Sequence, residues 1–306
     1  MFVSELLAIS AALCIALSGM LINELKGRVD VIRLARWQML AAFAMTGGAA
    51  LVIGGWKTIG ADEFALLAAS SLFGIIIAST TYFAAIYTAG PRTTALLFTL
   101  ASPFSLLLGY LFLGETIDMR QALGVGLVLA GIAMAVGLRR RDTVAAIEVS
   151  AAGVASIALK QSTPAWVGIA LGIVTALGQA LGSLMARPAM EAGVEPIAAM
   201  AVRSGIAALF FLALVPLPFR FLHQPYAFRR SDAGIAIASA FFGTGLGMSL
   251  LMAALVTGNV GIVTTLSSMT PIMILPMVWL RSGVPPVTAA WIGAAIAVAG
   301  TTMISL

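Results

Sequence analysis

Ten runs of predominantly apolar residues divide this chain, each close to the 20 or so residues that an α-helix needs to cross the hydrocarbon of a bilayer. They cover Phe2–Ile22, Arg33–Gly54, Phe64–Tyr87, Thr93–Leu113, Met119–Leu138, Ala165–Arg187, Pro196–Pro218, Asp232–Val256, Val260–Leu280 and Val287–Leu306. A chain so divided cannot hide its apolar surface in one water-soluble core. Composition agrees, because 61% of the 306 residues are hydrophobic and only 9% charged, whereas a soluble domain carries roughly a quarter charged. The runs are continuously apolar, without the alternation of a lipid-facing strand, so helices are expected and a β-barrel is not. Short connections make neighbouring helices antiparallel. The first run lacks a basic start and holds Glu5, so it reads as a permanent span and not as a cleavable signal peptide. Thr143–Leu159 is also fairly apolar, but it is short and carries Glu148, Ser150 and Ser156; it reads as a linker lying on the membrane surface.

Self-similarity appears at a shift of 168 residues. Gly90 falls on Gly258, Thr99 on Ser267, Ser102 on Thr270 and Pro103 on Pro271; the register then slips by one, so that Gly124 matches Gly293 and Gly131 matches Gly300. Phe73-Gly74 lies close to Phe242-Gly243, and Arg36 close to Arg203. Five helices per copy is an odd number, so the second copy must enter the membrane from the opposite side. That is an inverted-topology repeat, a plan on which many secondary transporters place a site between the halves near the midplane. The units are expected at 1–141 and 165–306, joined by a linker at 142–164.

The run PRTTALLFTLASPFSLLLGYLFLGETIDMRQALGVGLVLAGIAM, in which a helix with a central proline ends in Gly-Glu and the next opens with Gln and Gly, resembles the end of an EamA-type repeat. Across nearly its whole length the chain is similar to the drug/metabolite transporter superfamily. This resemblance implies an all-α integral membrane protein of ten helices in two inverted five-helix repeats, with helices 1–4 and 6–9 around a central cavity and helices 5 and 10 outside it. It implies a transporter of amino acids or related metabolites. Where the first unit has Gly114-Glu115, the second has Ser282-Gly283, so a role for Glu115 would exist in one half only.

The polar residues narrow the function further. All 12 acids fall in expected loops or helix ends, so no carboxylate stands at mid-depth to relay protons; uniport, exchange, or coupling through the substrate's own charge is favoured. One histidine, His223, and one cysteine, Cys14, make neither a metal site nor a disulfide, and no nucleophile–base pair or acid cluster suggests an enzyme. The GTGLG run has no strand before it and is no dinucleotide fingerprint, so no cofactor is expected. The basic residues are scattered, which excludes nucleic acid. The expected partners are a small-molecule substrate and the lipid bilayer, with the protein a monomer or weak homodimer.

Pro103 and Pro271 remove a backbone N–H in mid-span and free a carbonyl, which suggests hinges or cavity lining, with Thr99, Ser102, Ser267 and Thr270 offering hydroxyls one turn earlier. Trp37 and Gln38 follow Arg36, and a helix turns one of the two inward. Tyr82, Phe83, Tyr87 and Phe98 are candidates for an aromatic pocket; Gln179 is polar at depth; Met248 and Met252 share one helix face. Arg36, Arg203 and Glu115 are charged candidates for the cavity mouth, the arginines either attracting an anionic group or snorkelling to the interface. A lipid translocase on the same scaffold would use such an arginine at headgroup depth, and a membrane enzyme would need a catalytic cluster. Thirteen of the 17 basic residues lie in loops after odd-numbered helices, leaving Lys57, Arg120, Arg187 and Arg203 for the other side. The basic side is expected in the cytoplasm of a bacterial inner membrane, with both termini outside, although the resemblance implies termini inside.

Overall fold

The structure, a computed structural model, describes residues 2–25, 28–29, 31–82, 84–85, 97–137, 165–215, 230–283 and 288–305. The expectations for Phe83, Tyr87, Gly90, His223, the linker 142–164 and the basic residues at 26, 92, 139–141, 160, 220 and 229 lie outside these residues, as do the side chains of Arg230, Pro271 and Arg281. Among the described residues the regular structure is all helical. The first unit contributes α1 (Phe2–Glu24), α2 (Val31–Ile53), α3 (Ala61–Tyr82), α4 (Ala101–Leu113) and α5 (Met119–Gly137). The second contributes α6 (Ala165–Glu191) and α7 (Pro196–Ala213). Its α8 runs through Arg230–Ala240, Phe241–Gly247 and Met248–Leu255, its α9 through Val260–Ser267 and Thr270–Ser282, and α10 is Thr288–Ser305. Five helices, α1, α3, α6, α7 and α8, are each long and apolar enough to cross a membrane. Large apolar side chains such as Val52 (89% exposed) and Leu280 (86%) face outward, as lipid requires and water would not favour.

Local chemistry sets the helix ends. Glu195 accepts from the N–H groups of Ile197 and Ala198, with Pro196 opening α7; the Asn259 side chain caps α9 through Gly261 and Ile262. Both are N-caps of the acceptor type that satisfy orphan donors. Gly114 (φ 63°) ends α4 and Gly283 (φ 68°) ends α9 in the left-handed region, where glycine carries no Cβ penalty. This corrects the register read from sequence: the structural counterpart of Gly114 is Gly283, not Ser282, because the one-residue slip already exists at this point. The counterpart of Glu115 is therefore Val284, outside the described residues.

The two units pack with reciprocal contacts. Helix α1 meets α8 and α9 as α6 meets α3 and α4, α2 meets α8 as α7 meets α3, and α2·α7, α4·α9 and α5·α10 pair with their own counterparts. The α5·α10 joint shows the symmetry in single residues. A Cβ on Gly124 would lie 2.7 Å from the Gly300 carbonyl oxygen, and one on Gly131 would collide with that of Gly293. Since Gly124 is equivalent to Gly293 and Gly131 to Gly300, each contact is the other's image, as in a two-fold interface. Residue numbers rise along α5 as they fall along α10, so the helices are antiparallel and the axis relating the units inverts their topology. Elsewhere small residues also let backbones approach closely: Gly74 of α3 sits against Gly182 of α6, and the Ser70 hydroxyl donates to the Gly182 carbonyl at 2.5 Å.

Alternate connections share a face. Arg187, near the end of α6, donates to the carbonyls of Leu255 and Val256 at the end of α8, and Thr58 Oγ1 after α2 accepts from the N–H of Glu195 before α7. On the opposite face Arg28 reaches Asp232 at 3.6 Å.

A buried arginine and a carboxylate joint as the candidate functional site

Arg203 is the eighth residue of the 18-residue α7, which at 1.5 Å per residue places it about 10 Å along a helix of roughly 27 Å. The sequence counts Arg203 with the basic residues of one membrane face and allows it to snorkel. The structure instead encloses it within the helix, with a residual exposure of 0%, so it does not snorkel. Its Nη1 donates to the Met252 thioether sulfur at 3.2 Å, while Nε and Nη2 have no hydrogen-bond partner. The surrounding chain comes from both units. From α3, the Ser71 hydroxyl donates to the Arg203 carbonyl at 2.7 Å, and a Cβ on Gly74 would stand 3.0 Å from Nη2.

Gly74 belongs to a wide π turn, Leu72–Ile77, whose counterpart in α8 is Phe241–Gly247. Such turns recur at functional positions because they re-aim a helix face and loosen its hydrogen-bond ladder. Arg36, which lies close to Arg203 in the repeat, behaves differently, since it is partly exposed. Beside it Gln38 is the residue turned inward, donating to Ser239 Oγ at 3.0 Å, whereas Trp37 is 43% exposed.

The proline helices break where the chemistry demands. Regular α9 stops at Ser267 and resumes at Thr270; in α4 a turn at 99–100 precedes Ala101. Each interruption includes the residue four before a proline or adjoins it, where the ring would clash with the carbonyl. Both freed carbonyls find donors, that of Thr99 from the Ser102 N–H at 3.2 Å and that of Ser267 from the Thr270 hydroxyl at 2.9 Å. Ser102 is fully buried and bonded to Thr265 of α9, so it closes the α4·α9 joint. Ser267 bonds the Thr264 carbonyl of its own helix.

Tyr82 and Phe98 meet edge to face with centroids 5.9 Å apart, and near them Thr81 and Thr175 share a hydrogen bond of 2.8 Å between α3 and α6. Gln179, half-buried, lies one turn beyond Thr175. Met252 is brought to Arg203, while the half-buried Met248 packs among apolar side chains.

Glu115 follows the Gly114 cap and accepts from the Val260 N–H at 2.9 Å, at the start of α9. Arg187 Nε stands 3.5 Å away, and Arg187 also holds Glu191 at 2.7 Å. One carboxylate and one guanidinium thus tie the ends of α4, α6 and α8 to the beginning of α9. Burial pushes the Glu115 carboxyl above its ordinary range, an effect that the Val260 N–H and Arg187 only partly offset. Glu115 also lines a cleft of about 350 Å³ with Leu106, Leu107, Tyr110, Thr116, Ile117 and Asn259. Two acids placed at helix ends by sequence are nevertheless buried, Glu5 at 3% and Asp232 at 1% exposed. Sequence reading missed Ser71, Thr175, Arg187 and Thr265 as participants. The Phe-Gly pair repeated near 74 and 243 was the available signal for Gly74, whereas Arg187 offered no signal beyond its charge.

Apolar helices of membrane-crossing length in two units related by an inverting axis, with a buried cation held between them, define an integral membrane protein of the kind that moves solutes. The chain belongs to the EamA-like transporter family, whose model matches residues 3–137 and again 166–306; it is a membrane transporter of the drug/metabolite transporter type. A solved crystal structure that is 18% identical superposes with a TM-score of 0.76 over 98% of this chain and 95% of its own, which shows the shared fold. A comparison with curated proteins finds no match.

Proposed function

We propose that this transporter moves a small organic metabolite, an amino acid or a related zwitterion, by alternating access in export or exchange. The observation that carries this reading is the reciprocal packing of α1, α2, α6 and α7 against the other unit. Two inverted units can exchange their conformations, and that exchange turns an outward-open site into an inward-open one. The interrupted proline helices α4 and α9 are the hinges of the motion. Because both units are in one chain, a monomer or weak homodimer is the working form, set in a bacterial inner membrane with its basic face in the cytoplasm and both termini outside. Moving Arg203 to mid-depth leaves only Lys57, Arg120 and Arg187 opposite the 13 basic residues of that face, which strengthens the orientation bias. The depth of Arg203 also disfavours a lipid translocase, which would need its cation among the headgroups.

Counterflow in proteoliposomes against a panel of amino acids, amines and nucleosides tests the reading. Saturable exchange of amino acids is expected. Bond cleavage of a panel member, or lipid scrambling without solute exchange, would overturn it.

A further inference from the structure

We propose that Arg203 is the anchor for a carboxylate of the transported solute. This rests on the transport reading above and adds to it a residue and a chemical requirement. A guanidinium stays protonated in proteins, so burial cannot remove its charge, and about 10 Å of helix on the nearer side keeps it from reaching the interface. Its one hydrogen-bond acceptor, the Met252 sulfur, is weak and neutral. Among the described residues no ion pair involves Arg203. The other buried arginine among the described residues, Arg187 at 8% exposed, also has an Nε without a hydrogen bond, but its charge is met: it holds two carbonyls and faces two carboxylates. The missing counter-ion is therefore particular to the Arg203 position.

The two unpartnered nitrogens are Nε and Nη2. Their N–H bonds point the same way along one edge of the guanidinium, and this edge is the fork that grips a carboxylate through two parallel hydrogen bonds. Gly74 of the other unit faces Nη2 without a side chain, in the π turn Leu72–Ile77, where the helix's own hydrogen-bond ladder is loosened. The edge lies on the α3·α7 seam between the units, which alternating access parts and closes. A carboxylate drawn in there neutralises the buried charge, so binding of the correct solute and closure of the seam favour one another. A cationic amine without a carboxylate is repelled by the same charge.

The test uses the full chain, purified and reconstituted. Counterflow is measured for L-leucine against isoamylamine, L-phenylalanine against phenethylamine, and for inorganic phosphate. The expected result is transport of each amino acid roughly tenfold or more faster than its decarboxylated partner, with no phosphate transport. In Arg203→Gln this preference collapses; Arg203→Lys keeps part of it; Gly74→Val raises the amino acid KM with the charge intact. In detergent without solute, Arg203→Met melts no lower than the unaltered protein, since it replaces an uncompensated charge by an apolar side chain. A purely structural arginine would make it melt lower, and that result overturns the proposal. Equal transport of amine and amino acid, phosphate transport in their place, or an unchanged preference in Arg203→Gln also overturns it while leaving the transport reading standing. If no member of the panel moves, the transport reading falls and this inference with it.

Discussion

Replacing Gly131 by alanine tests the joint that holds the two units in register. The added Cβ would lie 2.6 Å from the Ala297 nitrogen and 2.8 Å from the Ala297 Cβ, and it would collide with the Gly293 carbonyl. Two of these three neighbours are backbone, so no rotamer change relieves them, and α5 and α10 must separate by most of an ångström. A gap of that size forfeits a quarter to a half of the dispersion well along the contact, and overpacking of a close joint costs about 1–3 kcal/mol. Alanine also gains roughly 0.5–1 kcal/mol over glycine in helix propensity, which a control must separate. Gly126 supplies it, since it is on the same helix with nothing within 4 Å of its Cβ position. Melting in detergent, followed by fluorescence size-exclusion, should place Gly131→Ala below Gly126→Ala by several degrees, at roughly 2–4 °C per kcal/mol. The double variant Gly131→Ala with Gly124→Ala should lose less than the sum, because helices already parted accept the second methyl more cheaply. If Gly131→Ala melts with Gly126→Ala, the close α5·α10 contact is not what joins the units.

Three further outcomes are expected. The raised Glu115 pKa means that the folded protein holds its proton more tightly than the unfolded chain, so this residue's contribution is fully present below about pH 4.5, the unperturbed value, and declines as pH rises through the raised pKa. Glu115→Gln should flatten that decline in a pH series of melting curves, by no more than about 1.4 kcal/mol per pH unit for one proton; a steeper fall in the variant would contradict the sign. Pro103→Ala and Pro271→Ala each restore an N–H that can reach the carbonyl four residues earlier, so they should alter transport rates by severalfold while melting stays within a few degrees, and unchanged kinetics in both remove the hinge role. Single cysteines placed near Leu306 and near Arg140 in a Cys14-free background should label from outside intact cells only at Leu306, and labelling confined to Arg140 would reverse the proposed orientation.

What could be read from sequence and what could not divide along the symmetry of the molecule. Lipid leaves a backbone no partners but its own, so run length dictates helix extent: Met119–Leu138 was expected and Met119–Gly137 is found. Repeated residues likewise carry repeated geometry, as in the glycine caps at 114 and 283, the paired glycines of α5 and α10, and the breaks before Pro103 and Pro271. A position's environment, however, depends on the partner helix, and a sequence does not say which partner that is. Arg36 and Arg203 lie close in the repeat, yet only Arg203 is enclosed, because Gly74 and Met252 stand where it turns inward, whereas in α2 it is Gln38 that faces the other unit, at Ser239. Glu115 shows the same departure in the sequence itself, since the residue that follows the matching glycine cap in the second unit is a valine, Val284. Perfect symmetry would make the two conformations of an alternating-access protein equal in energy. Under the proposed mechanism, charges enclosed in one unit only break that equivalence, and Arg203 is the one that the proposed carboxylate would neutralise.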